Sequence, residues 1–453
     1  MKTLNICLGA VLLAAGVANL GCGTGDDTAS VTLTFNVPAN ANQIQNLRQD
    51  LPQFEKRTGV KIKLYPFTGQ EKLYAMMAAG QAPDIFYTNT VVRDRLAAEK
   101  RLLDLRTVSK GDPFVQRIRP EFIDRGTSID GGWYQFCDWT FTYAFYYNRD
   151  LFRRAGLAFP DISWTWNDML RSAQALTIDS DGDGKPEQYG LFIAKHFVDA
   201  FEQMNGARFE RNALFYSLSA ESRDALAAYL DLMNRYRVMP DVSLMQAQGM
   251  QMTQLLNSGR AAMAVEALPN PDVFSGLEID WDVAPLPRMG DHPPAYFRSA
   301  SGGLSISAGC RDPQAAWEFL KWLITESRYN TPNPILSDVD FVGDWQESYP
   351  VLQNTQFARV WRLSEEYDGG DPRDFVRYSS WSSSAILEIL APRMDLLFAG
   401  KIDLDQLAAA ETEINRNVER ELDKLLKSNL DSLFLRHVET QIAAHRAEGK
   451  TGR

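Results

Sequence analysis

The chain has 453 residues, 45% of them hydrophobic and 23% charged, a balance that excludes a disordered polypeptide and a largely membrane-embedded one. Single cores stop growing at about 250–300 residues, so two domains are expected. The formal net charge of -11 argues against broad nucleic-acid binding, because neutralising phosphates needs clustered Lys and Arg.

Lys2 precedes an apolar stretch, Ile6 to Leu20, that ends in small residues before Cys22. The stretch is too short for stable spanning and has the layout of a secretory signal over residues 1–21. The small and polar run Gly23 to Ser30 suits a flexible tether. Val31 to Phe35 then alternates as a strand, and a polar helical stretch runs to Arg57 before a second alternating strand, Val60 to Tyr65. Leu73, Met76, Met77 and Ala79 follow at helical spacing, Gly80 stops that helix, and Asp84 to Tyr87 reads as a short strand. This order predicts an α/β architecture with parallel strands.

Leu102 to Leu105 reads as a further strand. Phe141 to Tyr147 is a continuous aromatic run, the pattern of a strand buried on both faces. Asn148 to Ala155 is a helix closed by Gly156, and Thr165 or Asn167 caps the helix that follows Ser163. Tyr189 to Ile193 is a strand, Ser219 to Tyr236 and Leu244 to Leu256 are helical, and Ala261 to Ala267 is a buried strand. Trp281 to Ala284 and Gly303 to Ser307 are strands on either side of a Pro-rich loop. Asp312 to Leu323 is an amphipathic helix, Pro332 and Pro334 break the chain after it, and Ser383 to Leu397 and Leu404 to Leu426 are helices. No internal repeat stands out.

Several of these segments resemble, in order, the maltose-binding-like extracellular solute-binding proteins of ABC importers. FEKRTGVKIKLYPF from Phe54 and KLYAMMAAGQAPDIFY from Lys72 resemble that family's first lobe. AFYYNRDLFRRAGL from Ala144 resembles its signature segment around Tyr147 and Asn148, with Arg154 where an acidic residue, Asn or Lys is usual. SWTWNDM, DSDGDGKPEQYGL, AAMAVEA, GGLSIS at Gly302 and AWEFLKWL at Ala316 complete the series. Asn429 to Arg453 lies outside it.

The resemblance implies a two-lobed, type II binding-protein fold, each lobe a mixed sheet flanked by helices and joined by hinge crossings. Carried over, lobe one is 31–143 and 285–325, lobe two is 144–284 and 326–428, and 429–453 is a C-terminal helical extension. The implied function is capture of a small molecule, a mono- or oligosaccharide, and delivery to an ABC permease by an exported monomer, with no catalysis and no nucleic acid. ANLGC, Ala18 to Cys22, resembles a bacterial lipobox, although Asn19 stands where Leu is usual. Lipid on Cys22 would anchor the mature chain at the membrane, in the periplasm or on the cell surface.

Ligands of open α/β sheets sit outside the carboxyl ends of the strands. Thr88 and Asn89 follow the strand Asp84 to Tyr87, either as readers of sugar hydroxyls or as a helix cap. Asp138 and Trp139 precede the aromatic strand and pair a carboxylate with an indole, which suits the hydroxyls and the apolar face of a pyranose. Lys195 and His196 follow the strand ending at Ile193, and Glu266 lies near a crossing segment. Ser301 and Gly302 admit a close approach of backbone to ligand. Tyr378 and Trp381 occupy the region where the family commonly places an aromatic platform. Asp138, Trp139, Glu266 and Trp381 lead this set.

Asp179, Asp181 and Asp183 at alternate positions before Gly184 match the first half of a calcium loop, but the twelfth position is Gly190 rather than a bidentate Glu. An Asp- and Gly-rich turn is the favoured reading, with calcium the alternative and no other cofactor expected. Cys137 and Cys310 either pair or stay separate thiols, the latter being favoured. With four His and no HExxH, GxSxG, Walker loop or CxxC, enzyme readings rest only on Asp138 and Glu266 as a glycosidase-like carboxylate pair. A secreted glycoside-active enzyme and an envelope adhesin or scaffold are the alternatives. In the extension, Leu430, Leu433, Phe434, Val438 and Ile442 recur at helical spacing, which suits packing on lobe two or contact with a partner, the former being favoured.

Overall fold

A computed structural model describes residues 31–37, 41–66, 69–207, 213–241, 249, 251–292, 302–329, 334–367, 381–428 and 430–451. The expected signal, the tether, Cys22, Ser301 and Tyr378 lie outside the described residues. Two four-stranded sheets organise the chain, ordered β2-β1-β3-β8 and β5-β6-β4-β7. The first contains β1 (Thr32–Val37), β2 (Lys61–Pro66), β3 (Ile85–Asn89) and β8 (Gly302–Ile306). The second contains β4 (Thr142–Asn148), β5 (Tyr189–Phe192), β6 (Ala261–Leu268) and β7 (Trp281–Pro285).

In the first sheet β1 runs parallel to β2 and β3, while β8 runs antiparallel to β3. Alternation decides its faces. Leu33, Phe35 and Ile85 enter one core, and Phe86 enters another on the opposite face. Helix Ala41–Thr58 brings Leu47, Leu51 and Phe54 to the first core at a helical repeat. Helix Pro313–Thr325, capped by Asp312 with Pro313 in its first turn, sets Phe319 edge-on to Phe35 and Phe54 at 5.3 and 5.4 Å. Lys61 and Lys63 are exposed on the edge strand β2, where charge discourages pairing with another chain.

The second sheet explains the aromatic run. β4 pairs with β6 on one side and β7 on the other, antiparallel to both, and every residue from Thr142 to Asn148 is buried. A separate large core surrounds this sheet, drawing on residues from Tyr143 to Met289 and from Phe341 to Ile442. Thr165 is the cap of helix Trp166–Leu176 and forms a reciprocal capping box with Asp168.

Three expectations change. Leu102 makes only an isolated bridge to Ser307, and Leu105 opens a short helix capped by Asp104, so no strand forms there. The stretch from Leu404 divides into helices Leu404–Ala409 and Glu411–Leu425. Tyr329, Ile335 and Leu336 pack in the core of the first sheet, so that lobe continues past Thr325 and the chain enters the second core only at Phe341.

Candidate functional site at the carboxyl ends of two sheets

Strand direction places the candidates. The carboxyl ends of β1, β2 and β3 and the start of β8 share one edge of the first sheet, since Asn89 is paired with Gly302. In the second sheet the ends of β5, β6 and β7 lie with the start of β4, since Thr142 is paired with Leu268 and Ala144 with Pro285. The chain passes from one lobe to the other between Cys137, in the first core, and Trp139, packed on the second. Asp138 is therefore a crossing residue.

Asp138 is buried, and desolvation raises its carboxyl to about 7, against a smaller backbone hydrogen bond acting the other way. Its charge acts on the buried phenol of Tyr329, which also feels Tyr87. The three residues come from separate parts of the sequence and are linked electrostatically. Trp139 is half-buried and meets Trp345 edge-on at 6.5 Å. Glu266 is partly buried, its pKa is raised by desolvation, and one of its carboxylate oxygens accepts from Ala267 N at 2.9 Å. It acts electrostatically on Tyr143 and Tyr146. Tyr143 in turn packs edge-on to Phe197 at 4.9 Å.

Other candidates are engaged in ways that a sequence does not show. Thr88 is fully buried; its hydroxyl bonds with Ser305 Oγ at 2.8 Å and accepts from Gln135 Nε2 at 2.9 Å. It is a strut of the sheet and reaches no open surface. Asn89 caps helix Thr90–Ala98, its side-chain oxygen accepting from Val92 N at 2.8 Å. Lys195 forms an exposed ion pair with Asp395 at 2.7 Å. His196 has a pKa lowered by desolvation and lies against Phe197, with ring centroids 4.1 Å apart. Gly302 serves the protein itself, because a Cβ there would fall 2.1 Å from the Tyr87 hydroxyl oxygen. Trp381 is half-buried, packs on the cores of both lobes and meets Phe434 edge-on at 6.1 Å.

The aspartate loop is closed by its own carboxylates. Asp179 accepts from Gly182 N and Gly184 N, Asp181 from Asp183 N, Asp183 from Lys185 N, and Glu187 from Ser180 N. Asp179, Asp181 and Glu187, all exposed, bring carboxylate oxygens within 4.8 Å of one another. Asp183 is not one of the converging three; Glu187 takes its place. Cys137, buried, and Cys310, half-buried, are not joined by a disulfide. Tyr147 and Asn148 lie at the far end of β4 from the crossing. Tyr147 donates to Asp282 at 3.1 Å and Asn148 caps helix Arg149–Arg154, so this segment is scaffold.

Phe197 follows Lys195 and His196 after the strand ending at Ile193, as the sequence indicates, whereas Tyr87, Tyr143 and Tyr329 were not singled out by the sequence. The alternation of Phe141 and Tyr143 ahead of the buried run was the available signal.

The sequence model of the bacterial extracellular solute-binding proteins matches residues 39–327, well over half of the chain. The chain belongs to this family. Its fold is that of two-lobed binding proteins of known structure. An ABC substrate-binding protein from Listeria monocytogenes, in complex with cycloalternan, is 18% identical with a TM-score of 0.68, over 87% of this chain and 99% of that one. The maltose/maltodextrin-binding domain MalE from Bdellovibrio bacteriovorus, bound to maltotriose, is 18% identical at 0.63, over 87% and 100%. The GacH receptor of Streptomyces glaucescens, solved unliganded and with acarbose, is 18% identical at 0.66, over 86% and 98%. No curated protein matches the sequence. The family and these neighbours are binding proteins rather than enzymes, and a family of extracellular proteins implies export. Among the described residues no helix is long and apolar enough to cross a membrane.

Proposed function

We propose that the protein traps an oligosaccharide between its lobes and presents the closed form to an ABC permease, held near the membrane by lipid on Cys22. The observation that carries this reading is the crossing: Asp138, a buried carboxyl raised to about 7 by desolvation, stands beside Trp139 in the chain and couples electrostatically to the Tyr329 phenol. A carboxyl poised near neutrality both accepts and donates hydrogen bonds, which matches the dual character of a sugar hydroxyl. Aromatic faces provide the stacking that a pyranose offers on its apolar side. The neighbours bound to maltotriose, cycloalternan and acarbose support the same ligand class.

Within this reading Asp138, Trp139, His196, Glu266 and Trp381 are the ligand-facing set, while Thr88 and Gly302 act by holding the first sheet in shape. Ligand contacts made on both lobes exist only in the closed state, so binding shifts the population toward closure. A lipid tether raises the effective concentration at the permease without adding a contact.

Isothermal calorimetry with maltotriose, mannotriose and acarbose tests the ligand class. Saturable binding is expected, weakened at least threefold by Trp381→Ala. Silence across these sugars and across the monosaccharides sinks it. Mass spectrometry of the exported chain tests the anchor, which requires diacylglycerol on Cys22 and loss of membrane partition in Cys22→Ser.

A further inference from the structure

We infer that the C-terminal helix is a strap that limits how far the two lobes open, with Phe434 as its latch on the first lobe. Helix Ser432–Thr451 follows the last stretch of family resemblance and touches both cores. At its first end, Phe434 is 1% exposed and fills the cluster on the outer face of the first sheet with Leu73, Met77, Phe86 and Leu96. Beside it Asp431 N donates to Ala98 O at 3.4 Å, and the Asp431 carboxylate pairs with Lys100 at 3.4 Å. One turn later the same helix face changes lobes: Val438 and Ile442 are buried in the core of the second sheet.

The second-lobe anchorage is the firmer one. Gln441 accepts from Leu214 N at 3.1 Å, His445 stacks on Phe215 with ring centroids 3.8 Å apart, and Arg446 pairs with Glu419 at 3.2 Å. An α-helix advances 1.5 Å per residue and does not stretch, so four residues carry the face from one core to the other over about 6 Å. A wider opening of the lobes must then draw Phe434 out of its apolar socket and expose both to water, which opposes opening. The same ring braces Trp381, which itself packs on both cores. Phe434 is thus a positioning residue for the proposed platform.

The inference rests on the two-lobed trap for its consequence, but its test uses ligand-free protein and is independent of which molecule is bound. Genetically encoded azido side chains in place of Lys56 and Asp224, both exposed and one on each lobe, carry a dye pair in the full chain for single-molecule energy transfer. The unaltered chain should give a narrow distribution of inter-lobe distance. Phe434→Ala should broaden it toward longer separations, and a stop codon after Ser428 should broaden it further. Leu433→Ala, an exposed neighbour, should leave it unchanged. Should the truncated chain lose its helical circular dichroism, Lys100→Ala with Asp431→Ala gives the gentler reading, a smaller shift in the same direction. Distributions that coincide for Phe434→Ala and the unaltered chain, or that move to shorter separations, overturn the strap.

Discussion

Asp138→Asn should remove a pH dependence of stability that the buried carboxyl imposes on the whole fold. The group has an ordinary pKa of 3.8 and is raised to about 7 in the folded protein, chiefly by desolvation. Between those values the folded state holds a proton that the unfolded state has released. The unfolded state binds fewer protons there, so stability falls as pH rises from about 4 to about 7 and is level above. At 1.36 kcal/mol per pH unit over a gap of about three, the ceiling is about 4 kcal/mol. Asparagine keeps the shape of the protonated acid and never ionises. The variant should therefore match the parent near pH 4 and exceed it at pH 8, by an amount approaching that ceiling.

The assay is urea denaturation of both proteins at half-unit steps from pH 4 to pH 8. Carboxylates whose pKa is lowered by folding, such as Asp84, Asp161 and Asp168, tilt both curves the opposite way and cancel in the difference. Parallel curves for parent and variant would refute the argument, because they would mean that the carboxyl ionises in the folded protein as readily as in water.

Further outcomes can be measured on the same footing. Gly302→Ala places a methyl 2.1 Å from the Tyr87 hydroxyl oxygen and should cost about 1–3 kcal/mol by overpacking; with Tyr87→Ala the double variant should lose clearly less than the sum, and additivity in denaturation would remove the clash as cause. Asn89→Ala, which strips the cap from helix Thr90–Ala98, should cost about 1 kcal/mol, read as a lower urea midpoint at unchanged slope. Asp84 is buried, and although desolvation pushes its pKa up, bonds from Thr34 and Arg311 outweigh this and hold it below the usual value. Its contribution is present above about pH 4 and lost as pH falls through the folded pKa. Asp84→Ala should cost about 1–3 kcal/mol at pH 7, mainly by leaving the Thr34 N–H and hydroxyl without their acceptor, with the deficit shrinking in acid.

How far the sequence reached depended on what kind of information each feature needs. Strand order and burial were legible because Leu33, Phe35, Ile85 and the run to Tyr147 announce their faces by local pattern alone. The Thr165 cap was legible for the same reason, since its partner Asp168 lies three residues on. Leu102 to Leu105 misled because four residues, three of them leucines, carry no usable period, and Asp104 capped a short helix that starts at Leu105 instead. Thr88 misled because Gln135, which engages its hydroxyl, is 47 residues away. The aspartate loop shows the limit differently: spacing nominated Asp183, with Glu187 at the ninth position as a substitute, and loop closure brought Glu187 rather than Asp183 to Asp179 and Asp181. In the C-terminal extension the period identified Phe434, Val438 and Ile442 as one face, but periodicity names a face and not its partner. That one face serves two cores was visible only once the lobes were folded.

Two separate cores also constrain how the proposed trap works. Each sheet has its own close-packed surroundings, and packed interiors resist gradual deformation, so closure must be a rigid-body event taken up by the crossings. Moving such an equilibrium from 1:99 to 99:1 takes about a 10⁴-fold preference of the ligand for the closed form. Residues that bias the open form therefore set affinity as directly as residues that touch the sugar. The C-terminal helix, whose Phe434 and Asp431 hold it to the first lobe, acts on that balance. Loosening it away from any ligand-facing side chain, as in Lys100→Ala with Asp431→Ala, changes the apparent affinity for every ligand by the same factor, because it alters the population of the competent state. A substitution at a stacking or hydroxyl-reading side chain changes it ligand by ligand. A panel of sugars measured against Lys100→Ala with Asp431→Ala and against Trp381→Ala separates the two roles: a uniform ratio across the panel marks control of opening, and a ratio that varies with sugar marks contact.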